Sequence, residues 1–152
     1  YSCKMNELEA AIGIGNIEIY HEILNKRRNN LIYVLERFKR FSPYLKTIVE
    51  EPGEQIGPHA IPIIIQESAS FSRADLTNYL EEHGIETRTL FASMPTQCPG
   101  FAYLGYKPGQ FPNAEYIGKH GLHIGVHQDL GLEEMDYVLG TIERFLQYRG
   151  TD

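Results

Sequence analysis

The chain has 152 residues, of which 42% are hydrophobic and 22% are charged, and its formal net charge is −6 at pH 7. This length and composition predict one soluble globular domain with a buried core. The negative charge argues against non-specific nucleic-acid binding, and no apolar run reaches the roughly 18 residues of a membrane span, so neither partner is expected. Two cysteines, Cys3 and Cys98, are too few for a disulfide framework and indicate a reducing, cytoplasmic setting.

Two helices are predicted at the start of the chain. Lys4 to Ile12 is helix-prone, with Leu8, Ala11 and Ile12 on one side. A longer helix is predicted from Glu18 to about Phe41, and its basic residues are expected to form solvated surface instead of a phosphate site. The stretch Gly13 to Asn16 lies between these patterns. It is not interpreted as a dinucleotide loop, because it follows a helical pattern and lacks the third glycine.

The first strand is predicted over His59 to Glu67, after an acidic connection with glycine and proline from Val49 to Pro58. The stretch is rich in isoleucine and too short for a buried helix. Pro62 cannot donate to a ladder, which favours a sheet edge or the first residues of the strand.

The segment from Ser72 to Gln97 carries the strongest local signals. Ser72 is predicted to be an N-cap with Asp75 completing a capping box, and Gly84 is predicted to end the helix in a left-handed conformation. A strand is predicted over Ile85 to Leu90. A loop of about twenty residues follows, which is long enough to indicate a functional or a disordered segment, and its aromatic residues favour the functional one.

The remaining elements repeat the helix-glycine-strand order. Asn113 is predicted to cap a short helix through Lys119, Gly121 to close it, and Leu122 to Val126 to form a strand. The last helix is the clearest and is expected to pack across the sheet through Met135, Val138, Leu139, Ile142, Phe145 and Leu146. The fold class is therefore α+β, a small sheet of about three strands layered with helices, with the pairing direction left open.

Few residues predict chemistry by themselves. Arg88 lies in a predicted strand, where its guanidinium is suited to a carboxylate or phosphate; the alternative is an exposed ion pair. A metal site is not predicted, because His123 and His127 would lie about 13 Å apart along a strand. Cys98 shows no sign of a lowered thiol pKa. No Ser-His-Asp spacing, P-loop or zinc pattern is present, so no catalytic residue is assigned.

Several stretches together resemble one known family. Tyr1 to Met5, followed by Asn6 to Gly13, resembles the G-Y-N-x-R-M-x-x-x-Q-A-A-x-G signature of the DegT/DnrJ/EryC1/StrS sugar aminotransferases and dehydrases, which use pyridoxal phosphate (PLP). The stretches from Ser72 to Arg88 and from Leu90 to Gln97 look like the C-terminal segment of that family, most of all its lipopolysaccharide-type and nucleotide-sugar 3-dehydrase branch. The resemblance covers nearly the whole chain.

The resemblance implies the C-terminal part of a fold type I enzyme, with residues 1–41 leading from a large domain and residues 42–152 forming the small domain. In the family the Schiff-base lysine, the aspartate that pairs with the pyridinium nitrogen and most phosphate ligands lie upstream of this segment. The six lysines of the chain are accordingly not expected to form the Schiff base. PLP is expected in the full-length enzyme and not on this fragment alone, which is expected to be inactive.

The resemblance also implies site residues and partners. Ser2 stands where the family's asparagine reaches the cofactor phosphate of the neighbouring subunit, and Arg88, Phe91 and Gln97 correspond to a segment at the substrate mouth. The expected function is aminotransfer to a nucleotide-linked keto sugar from an amino donor, in a homodimer. The alternatives are a PLP-dependent nucleotide-sugar 3-dehydrase, which is disfavoured by Met94 and Cys98 at positions where dehydrases often carry other residues, and a stand-alone non-catalytic α+β binding module.

Overall fold

A computed structural model describes residues 4–90 and 94–149. Their α-helices are α1 (Glu7–Glu18), α2 (Tyr20–Phe38), α3 (Arg73–Glu82), α4 (Pro112–His120) and α5 (Leu132–Arg149). Their strands are β1 (Leu45–Lys46), β2 (Ala60–Ile65), β3 (Thr87–Thr89) and β4 (Gly121–Gly125). Short 3-10 helices span Lys39–Phe41, Pro95–Gln97 and Pro99–Leu104.

The strands form one antiparallel sheet in the order β1-β2-β4-β3. The α+β class is thus confirmed, and the pairing direction that the sequence left open is antiparallel. The fourth strand, β1, was not predicted, because two residues are too few to show periodicity. Pro62 lies within the inner strand β2. On the β1 side, however, only Ile64 and Ile65 of β2 are paired, so the missing N–H of Pro62 removes no hydrogen bond of the ladder.

Alternation along the strands decides where the core lies. In β2 the side chains of Ile61, Ile63 and Ile65 are buried, while those between them are partly exposed. They share a hydrophobic cluster with α2, α3 and α5. The predicted face of α5 is confirmed, since its buried residues include Met135, Val138, Leu139, Ile142 and Phe145, and Leu146 packs against the cluster. Helices therefore cover one face of the sheet.

The predicted capping box of α3 is confirmed. The Ser72 side chain accepts from the Asp75 amide, and the Asp75 carboxylate accepts from the Ser72 amide at 2.8 Å. Hydrogen bonds from the backbone and then the side chain of Ser72 lower the pKa of Asp75. Gly84 follows the helix with φ +74°, the left-handed conformation predicted for it.

Three local predictions were wrong. The first helix does not end at Ile12 but continues to Glu18, so the stretch Gly13 to Asn16 is helical and not a connection. None of the twelve residues of this helix is buried, so it has no core-facing side within the described residues. Asn113 does not cap α4, because the helix begins one residue earlier, at Pro112, whose ring is well suited to the first helical turn.

No helix among residues 4–90 and 94–149 combines the length and the apolar composition needed to cross a bilayer.

Candidate functional site

The face of the sheet opposite the core carries a row of side chains across three strands. In the register, His123 of β4 lies opposite Pro62 of β2 on one side and opposite Arg88 of β3 on the other. Directly opposed residues of antiparallel strands project to the same face. Two members of this row, Arg88 and His123, border a cavity of about 200 Å³ together with His59 and Glu86. The strand frame thus holds Arg88 and two imidazoles around one concave surface.

Arg88 projects from the edge strand into solvent. Its side chain is 73% exposed, and its Nε and Nη2 atoms donate to Glu86 Oε1 at 3.0 and 2.6 Å. Both bonds end on one carboxylate oxygen, so the guanidinium keeps further donors for a ligand. An exposed pair of this kind contributes about 0–1 kcal/mol. The structure therefore contains the exposed ion pair considered from the sequence, and a phosphate could replace Glu86 at little cost.

His123 is the most buried titratable group of this face. Its partial burial, followed by the nearby His59 and the charge of Arg88, lowers the pKa of His123 below its usual range. The ring centroids of His59 and His123 are 6.3 Å apart. His123 is therefore neutral at pH 7 and can serve as a hydrogen-bond donor or acceptor beside Arg88.

Gln97 lies in the segment after β3, where the resemblance located the substrate mouth. Its Nε2 atom donates to Glu115 Oε1 at 2.7 Å and to the Lys107 carbonyl oxygen at 3.1 Å. The segment that follows β3 is folded into 3-10 turns over the part that the structure describes, Met94 onwards. Gln97 and Arg88 belong to different elements, and the bordering residues of the Arg88 cavity do not include Gln97.

Ser2 and Phe91, the other two predicted site residues, lie outside the described residues. The sequence did not identify His59 and His123 as neighbours of Arg88. The signal that could have found them is the alternation of β2 and β4, but which strands pair cannot be deduced from one sequence.

Three histidines on and beside β4 have separate surroundings. His120 stacks on Tyr116 with ring centroids 4.4 Å apart, His123 faces His59, and His127 lies 3.4 Å from an Asp129 carboxylate oxygen. Within residues 4–90 and 94–149, no group of three or more metal-ligating side chains converges.

The lysines decide whether this chain could bind PLP covalently. All six are exposed, and Lys26 is paired with Glu22 at 2.8 Å. A Schiff-base lysine needs an apolar or cationic setting that lowers the pKa of its amine. Lys39 and Lys46 border a larger, mostly apolar cavity but remain exposed to solvent, and none of the six borders the cavity at Arg88. Solvent exposure of all six amines does not match the desolvated lysine of a Schiff-base site.

Helix α1 is an apolar surface without cover. Leu8, Ile12 and Ile17 are 71%, 59% and 73% exposed, and Met5 and Ile14 are also exposed. At about 100° per residue Ile17 lies on the side of the helix opposite Leu8, so the exposed apolar residues surround α1 instead of forming one stripe. A helix that is hydrophobic on all sides is typical of one buried by other protein surfaces.

Comparison with known proteins gives a family. The family model "DegT/DnrJ/EryC1/StrS aminotransferase family" matches residues 1–143. The lipopolysaccharide biosynthesis protein RfbH of Salmonella typhimurium is 29% identical over 95% of this chain and 33% of its own length. The GDP-4-keto-6-deoxy-D-mannose 3-dehydratase of Yersinia pseudotuberculosis is 33% identical over 84% of this chain and 32% of its own length. A transaminase is also among the relatives, at 26% identity.

A solved structure agrees with the sequence comparison. The crystal structure of a GDP-4-keto-6-deoxymannose-3-dehydratase with a trapped PLP-glutamate geminal diamine superposes with a TM-score of 0.81 and 29% identity, over 93% of this chain and 36% of that one. The chain therefore spans about a third of the length of the proteins it matches.

Proposed function

Because the chain belongs to the DegT/DnrJ/EryC1/StrS aminotransferase family, we propose that it is the C-terminal part of a PLP-dependent enzyme that acts on a nucleotide-linked keto sugar. The observation that carries the proposal is the match of the family model to residues 1–143, together with a fold shared with a PLP-containing relative. In this proposal residues 1–41 lead from a large domain and residues 42–152 form the small domain.

The exposed helix α1 supports this domain arrangement. No residue of α1 is buried, so the helix leaves apolar surface exposed to water unless another domain or subunit covers it. We assign that cover to the large domain and the second subunit of a homodimer. In the dimer, Ser2 would contact the cofactor phosphate of the neighbouring subunit.

Arg88 is the proposed anchor of the substrate. A guanidinium on a strand is held rigidly and presents several N–H donors to phosphate oxygens. The neutral imidazole of His123 adds a hydrogen-bonding group without adding charge. Phe91 and Gln97 would complete the wall of the mouth. PLP, when bound in the full-length enzyme, supplies the electron sink for the sugar carbon chemistry, and the present residues bind and orient the sugar nucleotide.

Two reactions fit this site, and we favour 3-dehydration over amino transfer. The sequence alone placed amino transfer first. The relative with 33% identity and the superposed relative with 29% identity are both 3-dehydratases, whereas the transaminase is 26% identical. Amino transfer remains the second candidate because the family takes its description from that reaction.

The experiment uses the protein that carries this chain, loaded with PLP and given GDP-4-keto-6-deoxymannose with glutamate. Glutamate is oxidised to its 2-oxo acid in both reactions, and mass spectrometry of the sugar separates them. The 3-dehydrase reaction replaces the C3 hydroxyl by hydrogen and releases ammonia, so the sugar loses one oxygen atom, whereas amino transfer replaces the carbonyl oxygen by an amino group and a hydrogen. A product of the first kind supports the favoured reaction, and one of the second kind supports the alternative. No conversion of any nucleotide-linked keto sugar would contradict both and favour a non-catalytic binding module.

The role of Arg88 has its own test. Arg88→Ala should raise KM for the sugar nucleotide roughly ten- to hundredfold, the value of charge-assisted hydrogen bonds to a phosphate. Arg88→Lys should restore part of the loss, because it keeps the charge but not the fork. Arg40→Ala is the matched control, since Arg40 is also a partly exposed arginine paired with a glutamate, Glu143. An unchanged KM in Arg88→Ala would remove Arg88 from the site.

A further inference from the structure

The carboxylate of Glu115, at the start of α4, accepts hydrogen bonds from both ends of the segment that leads into this helix, residues 97–111. Its oxygens accept from Gln97 Nε2 at 2.7 Å, from the Gly109 amide at 2.8 and 2.9 Å, and from the Phe111 amide at 3.1 Å. The hydrogen bond from Gln97, followed by those from the two amides, lowers the pKa of Glu115. Glu115 is therefore an anionic acceptor at neutral pH.

Packing contributes little to the conformation of this segment. Every residue from 99 to 110 is exposed. Apart from ring contacts between Tyr106 and Phe111 and between Phe101 and Tyr103, with centroids 5.3 and 6.3 Å apart, the segment is held by hydrogen bonds. Glu115 is the side chain that joins its beginning, at Gln97, to its end, at Gly109 and Phe111.

The same contacts fix which way the Gln97 amide points. Its two bonding partners, the Glu115 carboxylate and the Lys107 carbonyl, are acceptors only, so both must be met by the NH2 group. Both N–H donors of Gln97 are then used. Gln97 is half-buried, and its Oε1 atom is the polar atom that remains for a ligand.

We propose that Glu115 is a positioning residue that orients Gln97 so that its amide oxygen accepts a hydrogen bond from a sugar hydroxyl of the substrate. The diphosphate of a sugar nucleotide is fully ionised at neutral pH and offers only acceptors, so Gln97 in this orientation cannot bind the diphosphate, which is left to Arg88. The inference rests on the proposed function, in which Gln97 faces the sugar nucleotide. Gln97 would then bind a hydroxyl of the sugar, and Arg88 would bind the diphosphate of the same substrate.

The test is the variant Glu115→Gln in the protein that carries this chain. A glutamine can donate to the Gln97 oxygen and so permits the reversed amide, which presents N–H groups to the ligand. We expect inhibition by GDP-mannose to weaken roughly three- to tenfold, the value of one hydrogen bond, while inhibition by inorganic pyrophosphate, which has no sugar hydroxyl, stays unchanged. Glu115→Asp, which remains an acceptor only, should recover part of the loss.

The matched control is Glu54→Gln, because Glu54 also accepts a backbone N–H in a turn, that of Glu51, and the change removes the same charge. If Glu115 had only a structural role, Glu115→Gln would weaken inhibition by GDP-mannose and by pyrophosphate to the same extent and would also lower the melting temperature. That result, or an effect no larger than the control's, would overturn the proposal.

The orientation of Gln97 is tested without any enzymatic activity, by NMR of side-chain amides in the 152-residue chain. The NH2 protons of Gln97 should exchange with water at least several-fold more slowly than those of Gln55, an exposed glutamine, and Glu115→Gln should remove the difference. Equal exchange in the wild type would refute the orientation itself. Slow exchange in a protein that converts no sugar nucleotide would leave the orientation supported and refute the substrate contact together with the proposed function.

Discussion

The exposure of α1 leads to a quantitative prediction. Burying a leucine or isoleucine fully contributes about 1.5–3 kcal/mol. Leu8, Ile12 and Ile17 are 71%, 59% and 73% exposed, so most of that contribution is not realised in the isolated chain. Burying the remainder would give roughly 1–2 kcal/mol for each residue, or about 3–6 kcal/mol for the three. This free energy is available for contact with another part of the protein.

The perturbation is the triple variant Leu8→Gln, Ile12→Gln and Ile17→Gln, because glutamine has good helix propensity and adds no charge. Its free energy of unfolding, from urea denaturation followed by circular dichroism, should lie within about 0.5 kcal/mol of the wild type. Sedimentation velocity should show concentration-dependent association of the wild-type chain and loss of that association in the variant.

The control for buried surface is Ile142→Ala in α5, where the side chain is fully buried. It should cost about 2–5 kcal/mol. If the triple variant lost as much stability as this control, the apolar side chains of α1 would be packed on the chain's own body. The assignment of α1 to a contact with the rest of the enzyme would then be refuted.

Three further predictions concern the sheet, the α3 cap and the Arg88 face. Gly121→Ala should lower the free energy of unfolding by about 1–3 kcal/mol, because the new Cβ would lie 2.5 Å from a backbone carbonyl oxygen; unchanged urea denaturation would contradict this. Ser72→Ala should cost about 1 kcal/mol at pH 7. The cap lowers the pKa of Asp75 in the folded state, so the stabilisation that the cap provides is present above the ordinary pKa of about 3.9 and is lost as pH falls through the folded-state pKa. The Ser72→Ala variant should therefore lose less stability on acidification than the wild type. Equal acid dependence of the two proteins would contradict this. Arg88→Ala should raise the pKa of His123 in an NMR titration, because the charge of Arg88 is one cause of the lowered value, and Arg88→Lys should not; a fixed pKa would show that the two side chains do not interact.

Local signals explain most of what the sequence predicted correctly. The Ser72 cap, the left-handed Gly84 and the face of α5 each depend on residues within a few turns of one another, and all three are present in the structure. The α1 helix was predicted too short because Gly13 and Gly15 suggested a break. Both glycines lie in the helix, and no neighbouring group requires a glycine at either position, since nothing lies within 4 Å of a Cβ built on either.

Non-local relations explain what the sequence could not provide. Arg88 could be selected from the sequence because the segment that contains it predicts a strand by itself. Its neighbours His59 and His123 come from other strands, and only the register brings them together. The role of Glu115 depends likewise on Gln97, 18 residues away. A single sequence contains no signal for such pairings.

We propose that this chain binds and orients the substrate of a PLP enzyme, while another part of the protein holds the cofactor. The most direct measurement is borohydride reduction of the PLP-loaded protein that carries this chain, followed by peptide mass mapping. No lysine of the 152 residues should carry a pyridoxyl label, either in the whole protein or in the isolated chain. A labelled lysine elsewhere in the protein would favour amino transfer, and PLP binding without any labelled lysine would favour 3-dehydration. A label on Lys4, Lys26, Lys39, Lys46, Lys107 or Lys119 would contradict the proposal.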